Sequence, residues 1–265
     1  MAAPHTSQVS SSRLLGRKVL VTGSSKGIGR GIALRLAQEG ADVVINYNSD
    51  PRGAEEALGE VLATGRRGVM IQGNTGSVDT VRGLVAQSAE ALGGLDVLVN
   101  NAGIEHHAAF WDVTEEDYDR VLDVNLKGVF FGTQAFVQHC RAAGHGGKVI
   151  NISSVHEDLA FPNFAAYCAS KGGLRMLART LAVELGPLGI TINNIAPGAI
   201  ETPINAKLLN DPVKLDALTR QIPLARLGQP GDVAGLAAFL ASPDSDYVTG
   251  STYFVDGGLT VFYTE

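Results

Sequence analysis

The sequence lacks the features that would place the protein in a membrane, on nucleic acid or in an oxidising compartment. Its 265 residues include only two cysteines, Cys140 and Cys168, whereas small secreted proteins commonly rely on several disulfides. It has no uncharged apolar run of about 18 residues, the length that a membrane-spanning helix needs. Its 21 lysines and arginines are outnumbered by 27 acidic residues, and a nucleic-acid-binding surface needs clustered positive charge. We therefore expect a cytoplasmic protein with reduced thiols that binds neither nucleic acid nor a membrane.

The beginning of the chain also has little apolar character. Met1–Ser12 is polar and rich in Ser and Ala, without the apolar stretch of a secretory signal. We interpret residues 1–13 as a flexible tail. Residues 14–265 contain no repeat, low-complexity tract or linker, and the sequence is 45% hydrophobic, which is enough for one domain with a large core.

Apolar, β-branched segments alternate with helical patterns along the rest of the chain. The segments that predict strands are Lys18–Thr22, Asp42–Asn46, Gly68–Gln72, Leu95–Asn100, Lys148–Ser153, Ile190–Ala196 and Ser251–Val255. Amphipathic stretches of helical length lie between them, including Gly27–Glu39, Pro51–Thr64 and Val78–Leu92. Apolar strands separated by helices are typical of a parallel sheet covered on both faces. The sequence therefore predicts an α/β protein with one doubly wound, Rossmann-type parallel sheet of about seven strands.

A glycine-rich turn joins the first predicted strand to the first helix. It reads Thr22-Gly23-Ser24-Ser25-Lys26-Gly27-Ile28-Gly29. Glycines let a phosphate approach backbone N–H groups closely, and the helix N-terminus adds a favourable dipole. The turn indicates a dinucleotide site, with an ordinary tight turn as the alternative for this motif taken alone.

Several motifs together resemble the short-chain dehydrogenase/reductase family, from about Leu15 to the C-terminus. In chain order they are the G-x-x-x-G-x-G spacing of the turn, Asn100-Asn101-Ala102-Gly103, Asn125 within Val124-Asn125-Leu126, the Ser-x12-Tyr-x3-Lys spacing of Ser154, Tyr167 and Lys171, and Pro197-Gly198 followed by Thr202. The resemblance implies an NAD(P)-dependent oxidoreductase, which transfers a hydride between a nicotinamide cofactor and a hydroxyl or carbonyl carbon.

The resemblance implies four catalytic residues, namely Asn125, Ser154, Tyr167 and Lys171. Tyr167 would carry the proton, Ser154 would hold the substrate oxygen, and Lys171 would bind the nicotinamide ribose, while Asn125 would hold a water in line with Lys171. The i, i+4 spacing places Tyr167 and Lys171 on one helix face. An ammonium about 5 Å from the phenol, at an effective dielectric of about 20, should lower its pKa by about 2 units.

The resemblance also implies a set of residues that contact the cofactor. These are Gly23, Ser25, Lys26, Gly27, Ile28, Gly29, Asn48, Asn74, Asn101, Ala102, Gly103, Tyr167, Lys171, Pro197, Gly198, Ile200 and Thr202. The second strand ends without an acid before Asp50, where NAD enzymes often place one, and Lys26 is a candidate to meet a 2′-phosphate, a solvated surface charge being the alternative. We expect NADP to be accepted alongside NAD. Asn74 stands where the family usually has an adenine-binding aspartate, and its amide oxygen can still accept a hydrogen bond.

Four segments resemble the bacterial glucose 1-dehydrogenases within this family. They are Asn101–Glu105, Ser153–Glu157, Pro197–Asn205 and Asp256–Gly258. Glu105, His156 and Asn205, with Ser154, are the candidate substrate residues, and oxidation of an aldose to its lactone is the expected reaction. The alternatives are a 3-oxoacyl-carrier-protein reductase, a broad ketone or alcohol reductase, and a cofactor-sensing protein without turnover. His106-His107 beside Glu105 lacks metal-ligand spacing, so we expect no metal.

Two further expectations concern a lid and assembly. The proline-bounded stretch Gly198–Pro223 has weak periodicity and is expected to form a small substrate lid. Helices predicted at Thr114–Ala143 and Ala165–Gly186 carry more apolar residues than one buried face requires. The residues in question are Val121, Leu122, Phe130, Phe131, Leu174, Leu177 and Leu181. We expect this surplus to form a subunit interface of a homotetramer, as the family resemblance implies.

Overall fold

The computed structural model describes residues 13–261, without the side chains of Ala206 and Lys207. The predicted flexible tail therefore lies outside the described residues, except for its last member, Arg13. Its guanidinium donates hydrogen bonds of 2.8 and 2.9 Å to the two carboxylate oxygens of Glu39. This bidentate contact fixes Arg13 against the end of the first helix.

The described residues form a seven-stranded sheet in the order β3-β2-β1-β4-β5-β6-β7. Every neighbouring pair of strands is parallel. The strands are Lys18–Val21 (β1), Asp42–Tyr47 (β2), Gly68–Gln72 (β3), Val97–Asn100 (β4), Gly147–Ile152 (β5), Ile190–Pro197 (β6) and Thr252–Val255 (β7). The predicted fold class is thus confirmed, with strand ends that differ by at most two residues.

Helices cover both faces of this sheet. They are Gly27–Gln38 (α1), Pro51–Ala63 (α2), Val78–Leu92 (α3), Glu115–Leu122 (α4), Gly128–Ala143 (α5), Ala165–Leu185 (α6), Ala206–Leu209 (α7), Pro212–Thr219 (α8) and Pro230–Ala241 (α9). One core contains α1, α2 and α9, and the other contains α3, α5 and α6. Successive residues of a strand point to opposite faces of the sheet, so Val19 and Val21 pack in the first core and Leu20 packs in the second. No helix within residues 13–261 is long and apolar enough to cross a bilayer.

Local signals set where the helices begin and end. The hydroxyl of Ser77 accepts a hydrogen bond from the N–H of Thr80 and caps α3, and Gly93 ends that helix with φ of 72°. The Asp50 carboxylate caps α2 in the same way through Gly53. Because α1, α2 and α3 each follow a parallel strand, their N-termini lie at the carboxyl edge of the sheet.

The predicted helix Thr114–Ala143 is wrong as a single helix, because a π turn at Asp123–Lys127 separates α4 from α5. The wider turn points Asn125 inward, where it is 1% exposed. Among the residues of the predicted subunit interface, Val121 and Leu174 are buried within this chain, whereas Phe130 is exposed.

Gly128, the first residue of α5, allows this turn to pack against the loop after β3. A Cβ at this position would overlap the carbonyl oxygen of Thr75. Gly128→Ala should therefore lower the free energy of unfolding by about 3 kcal/mol, because backbone atoms must move apart. Gly59→Ala is the matched control, since nothing lies within 4 Å of a Cβ there, and it should stabilise by about 0.5–1 kcal/mol. Urea unfolding of both variants measures this; equal effects would contradict the packing argument.

The predicted lid Gly198–Pro223 contains α7 and α8, two short helices that its weak periodicity did not indicate. A 3₁₀ turn at Pro203–Asn205 precedes them. The segment follows β6, so it leaves the sheet at the carboxyl edge. Leu208 and Leu218 from it line a cavity at that edge.

Candidate active site

A cavity of about 650 Å³ lies at the carboxyl ends of the strands. The residues lining it come from the segments after β1, β2, β3, β4, β5 and β6. Every predicted cofactor and substrate residue lines this cavity, and so do Ser154, Tyr167 and Lys171. Asn125 is the exception among the predicted site residues, because it lies behind the cavity wall. The cavity also occupies the point where strand order reverses, between β1 and β4, which is where open α/β sheets bind ligands.

The glycine-rich turn is packed against the loop that follows β4. Gly23 and Gly27 have φ of 61° and 59°, a conformation that L side chains rarely adopt. A Cβ on Gly23 would lie 2.9 Å from the Cα of Ala102. The side-chain amide of Asn101 donates to the carbonyls of Thr22 and Gly23, at 2.8 and 2.9 Å. The turn is therefore held rigidly, and α1 begins without a side-chain cap, so its first N–H groups fit the diphosphate of a dinucleotide.

The far end of the cavity is lined by Asn48, Asp50 and Asn74. The Nζ atom of Lys26 lies 3.9 Å from a carboxylate oxygen of Asp50, so the lysine predicted to meet a 2′-phosphate already faces an acid. Asp50 was not predicted as a site residue, although its position two residues after Asn48 could have suggested it. The Asn74 amide oxygen accepts a hydrogen bond of 3.0 Å from the N–H of Gly76, which fixes the orientation of the loop after β3.

Ser154, Tyr167 and Lys171 meet at the other end of the cavity. Ser154 follows β5, and its side chain lies close enough to Tyr167 on α6 to lower the pKa of the phenol. The Nζ atom of Lys171 donates to the carbonyl of Ile152 at 2.9 Å and lies 5.5 Å from the centroid of the Tyr167 ring. The structure thus brings together the three residues whose spacing suggested catalysis.

Burial dominates the titration of this group. Loss of solvent raises the pKa of Tyr167 to about 12, against the opposing hydrogen bond to Ser154, and the charge of Glu105 raises it further. Burial likewise lowers the pKa of Lys171 to about 8, against the opposing charge of Glu157. The expectation that Lys171 lowers the pKa of Tyr167 is wrong for the protein alone, because desolvation of the phenol is the larger effect.

Asn125 supports the site through the backbone. Its Nδ2 donates to the carbonyl of Ile104 at 2.8 Å, and its Oδ1 accepts from the N–H of Ile104 at 2.9 Å. The same Nδ2 lies 3.2 Å from the hydroxyl of Ser170. Its side chain therefore holds the loop after β4 in place, and the predicted water between Asn125 and Lys171 stays a prediction.

Comparison with known proteins agrees with this geometry. Residues 23–260 match a family model described as enoyl-(acyl carrier protein) reductase. The chain is 45% identical over 249 residues to 3beta-hydroxysteroid dehydrogenase 1 of Eggerthella lenta, covering 94% of this chain and 95% of that protein. It is 40% identical to glucose 1-dehydrogenase 2 of Bacillus subtilis, covering 95% and 98% of the two chains.

A solved structure extends this likeness. It is a gluconate 5-dehydrogenase from Burkholderia cenocepacia in complex with NADP and tartrate, with a TM-score of 0.89 and 39% identity over 95% of this chain and 98% of that one. The chain belongs to the short-chain dehydrogenase/reductase family. It is therefore an NAD(P)-dependent oxidoreductase, and the cavity at the carboxyl edge is where this family's chemistry belongs in the fold.

The substrate end is lined by Phe161 and Phe164, which the sequence analysis missed, beside the predicted His156. His156 stacks on Phe161 with centroids 4.5 Å apart, and Phe161 stacks on Phe164 at 4.6 Å. The rings of Phe164 and Tyr167 are 6.3 Å apart and nearly perpendicular. The spacing of Phe161, Phe164 and Tyr167, three residues each, was the only signal in the sequence, but the irregular segment before α6 hid it.

Two of the residues predicted to bind a sugar, Asn205 and His156, have hydrogen-bond partners within the protein. Asn205 donates its side-chain amide to the carbonyl of Ile200 at 2.7 Å. The Nδ1 of His156 lies 3.2 Å from the carbonyl of Leu159, and burial lowers the His156 pKa, which favours its neutral form. Within residues 13–261, no group of three His, Cys, Asp or Glu side chains is arranged to hold a metal ion.

Proposed function

We propose that the protein interconverts a secondary alcohol and its ketone on an apolar ring system of the hydroxysteroid type. The aromatic wall beside Tyr167 carries this proposal. The rings of His156, Phe161 and Phe164 are stacked in sequence, and all three residues line the cavity. An apolar ring that covers such a face gains about 25 cal/mol for each Å² removed from water. A sugar can place its C–H face on such rings, but each hydroxyl group that finds no partner in the buried site costs about 1–3 kcal/mol.

The remaining lining of the substrate end supports the same substrate class. Leu159, Leu208, Leu218 and Leu259 also face this cavity. The amide of Asn205, expected to bind a sugar hydroxyl, is used by the carbonyl of Ile200. The Eggerthella lenta relative, at 45% identity, is named as a hydroxysteroid dehydrogenase.

The cofactor in this proposal is NADP, with NAD also accepted. The residues that would hold it are the glycine-rich turn, the loops after β2, β3 and β4, and Pro197–Thr202, and a solved relative contains NADP. When bound, the nicotinamide accepts or supplies the hydride. Tyr167 exchanges the proton at the substrate oxygen, Ser154 holds that oxygen, and Lys171 supplies a positive charge at the phenol. Residues 14–265 would act together as one dinucleotide-binding and catalytic domain.

Asn48 tests the position of the adenosine ribose. Asn48→Asp should weaken NADP about tenfold by placing a second carboxylate near the 2′-phosphate, with less than about threefold change for NAD. Asn48→Ala is the control, because it removes the amide without adding charge. Fluorescence titration of both cofactors measures the effect; an unchanged NADP affinity would place the ribose elsewhere.

A substrate panel tests the proposed substrate. We expect kcat/KM for a 3-hydroxysteroid to exceed that for glucose and for an acetoacetyl thioester by about a hundredfold, or about 2.7 kcal/mol. Phe161→Ala should raise KM for the steroid about tenfold, with little effect on glucose. A hundredfold preference for glucose would overturn the proposal.

Oxidation of the C1 hydroxyl of an aldose to the lactone is the second candidate function. Glu105 and His156 both line the cavity, and two relatives, at 40% and 41% identity, are named glucose 1-dehydrogenases. In that case Glu105→Gln should raise KM for glucose more than it lowers kcat, because Glu105 would bind a hydroxyl remote from C1.

Reduction of an acyl-carrier-protein substrate and cofactor sensing without turnover have weaker support. An acyl carrier protein is acidic and would need a basic docking patch, and the sequence offers Arg66 and Arg67 for it. Both residues precede β3 and so lie at the opposite edge of the sheet from the cavity. Arg66 is also paired with Asp42 at 2.7 Å. A cofactor sensor without turnover would not require Ser154, Tyr167 and Lys171 in contact.

We also propose a cytoplasmic homotetramer. Phe130 on α5 and Met176 on α6 are 44% and 56% exposed, and Trp111 before α4 is 83% exposed, so apolar surface remains uncovered along these helices. Light scattering at micromolar concentration should give about four times the 27.7 kDa mass of the chain. A monomer would contradict this assembly.

A further inference from the structure

A row of buried asparagines crosses the sheet behind the active site. Asn100, Asn151 and Asn194 are paired in register on β4, β5 and β6. Asn100 donates to Asn151 at 2.9 Å, and Asn151 donates to Asn194 at 3.0 Å. Each is at most 4% exposed. The row ends at Glu157, where the Asn194 amide lies 3.5 Å from a carboxylate oxygen.

Glu157 is a buried carboxylate that its neighbours satisfy only in part. Its side chain has 0% exposure, and its second oxygen, Oε1, has no hydrogen-bond partner among the described residues. The Nε of Arg175 lies 3.8 Å from that oxygen, and the same guanidinium is also paired with Asp158. An under-satisfied buried charge costs stability, which makes Glu157 a candidate for a functional role.

Glu157 belongs to the same short turn as Ser154. The turn is a 3₁₀ turn at Val155–Glu157, and the N–H of Glu157 donates to the carbonyl of Ser154 at 3.0 Å. The turn packs on α6 and on β6. On α6, Lys171 and Arg175 are four residues apart and so share a helix face. One turn thus presents Ser154 to the substrate end and a carboxylate to the face of α6 that carries Lys171.

We propose that Glu157 is a positioning residue, which keeps the buried Lys171 ammonium charged and holds the Ser154 turn against α6. The charged groups around it are Lys171 and Arg175 from α6 and Asp158 from its own turn, while β6 contributes the uncharged Asn194. The titration of Lys171 agrees, because the charge of Glu157 opposes the lowering of its pKa by burial. Arg175, a cation whose Nε lies 3.8 Å from Glu157, should act on Lys171 in the opposite direction.

The test is the pH dependence of ketone reduction by Glu157→Gln, and it rests on the proposed oxidoreductase activity. Loss of the negative charge should move the alkaline fall of kcat/KM down by about one pH unit. The loss should reach about tenfold at pH 8.5 and stay below about threefold at pH 6. Glu157→Asp should restore most of the profile. Arg175→Gln, the opposite-sign control, should leave the alkaline fall in place or move it upward.

Distinct outcomes separate this inference from the proposed function. An equal loss at every pH, with an unmoved alkaline fall, would make Glu157 merely structural and overturn the inference. If circular dichroism shows that Glu157→Gln does not fold, Arg175→Gln provides an independent test. A downward shift of the alkaline fall of kcat/KM in Arg175→Gln would overturn the inference. Failure of the parent enzyme to turn over any substrate of the panel would instead count against the proposed function.

Discussion

Replacing Tyr167 with phenylalanine should lower kcat about a thousandfold or more, while the cofactor still binds. The variant keeps the ring, whose contacts with Phe164 and Lys171 are made by its faces and edges, and removes the hydroxyl that reaches Ser154. General acid–base catalysis by one positioned group contributes about 10²–10⁴-fold. Among the described residues, Tyr47 is the other tyrosine that lines the cavity, and it follows a different strand from Ser154. Steady-state rates and a fluorescence titration of NADP measure both parts of this expectation.

Tyr47→Phe is the matched control for that experiment. Tyr47 lines the same cavity at the cofactor end, far along the sheet from α6. Its kcat should stay within about threefold of the parent value, because its hydroxyl is not placed to reach a substrate. A Tyr167→Phe enzyme that keeps kcat within about tenfold of the parent would remove Tyr167 from the mechanism.

Lys171→Met should cost activity and change how stability depends on pH. Loss of the ammonium should lower kcat about a hundredfold. Burial lowers the pKa of Lys171 from 10.5 to about 8, so folding at neutral pH carries a penalty for the buried charge. Methionine fills a similar volume without a charge. Removing this penalty should raise the free energy of unfolding of Lys171→Met at pH 7 by as much as about 3 kcal/mol. Loss of the hydrogen bond to Ile152 offsets part of this gain.

The sign of the pH effect follows from proton binding. Below pH 8 the folded and unfolded states both hold the proton on Lys171, so the parent protein carries the full penalty. Between about pH 8, the pKa of Lys171 in the folded protein, and its ordinary pKa of 10.5, only the unfolded chain keeps the proton. The stability of the parent therefore rises with pH in this range, relative to that of Lys171→Met. Urea unfolding at pH 7 and pH 10 measures the two differences. A constant difference would mean that the pKa of Lys171 is ordinary in the folded protein.

The parts of the fold that repeat a simple pattern could be predicted from the sequence. The bounds of β3 at Gly68–Gln72 and α3 at Val78–Leu92 agree with the prediction to the residue, because apolar periodicity, a Ser cap and a Gly stop all mark them. The break between α4 and α5 could not be predicted, since apolar periodicity continues through Asp123–Lys127. The π turn becomes visible only in the structure, where the backbone widens at Asp123–Lys127.

The candidate site also has one part that could be predicted from the sequence and one part that could not. The cofactor end was predicted because its glycines and asparagines are required by backbone geometry, which leaves a readable spacing. The aromatic wall was missed because Leu159–Phe164 is irregular, and stacking of His156 on Phe161 depends on where the chain returns. The predicted lowering of the Tyr167 pKa was wrong for a further reason. Spacing indicates the distance to Lys171 but not the burial of the phenol, and burial raises this pKa.

The contrast between the two ends of the cavity has an evolutionary consequence. The glycine-rich turn of the cofactor end is held by main-chain contacts, such as those of Asn101 with Thr22 and Gly23, so an exchange of Gly23 or Asn101 disturbs the backbone. The substrate end is built from side chains on Leu159–Phe164 and on the short helices α7 and α8, where exchanges leave the sheet untouched. A lineage can therefore acquire a new substrate through a few replacements while inheriting its cofactor site unchanged. Relatives at 40% and 45% identity that are named for a sugar and for a steroid are what such separable inheritance would produce.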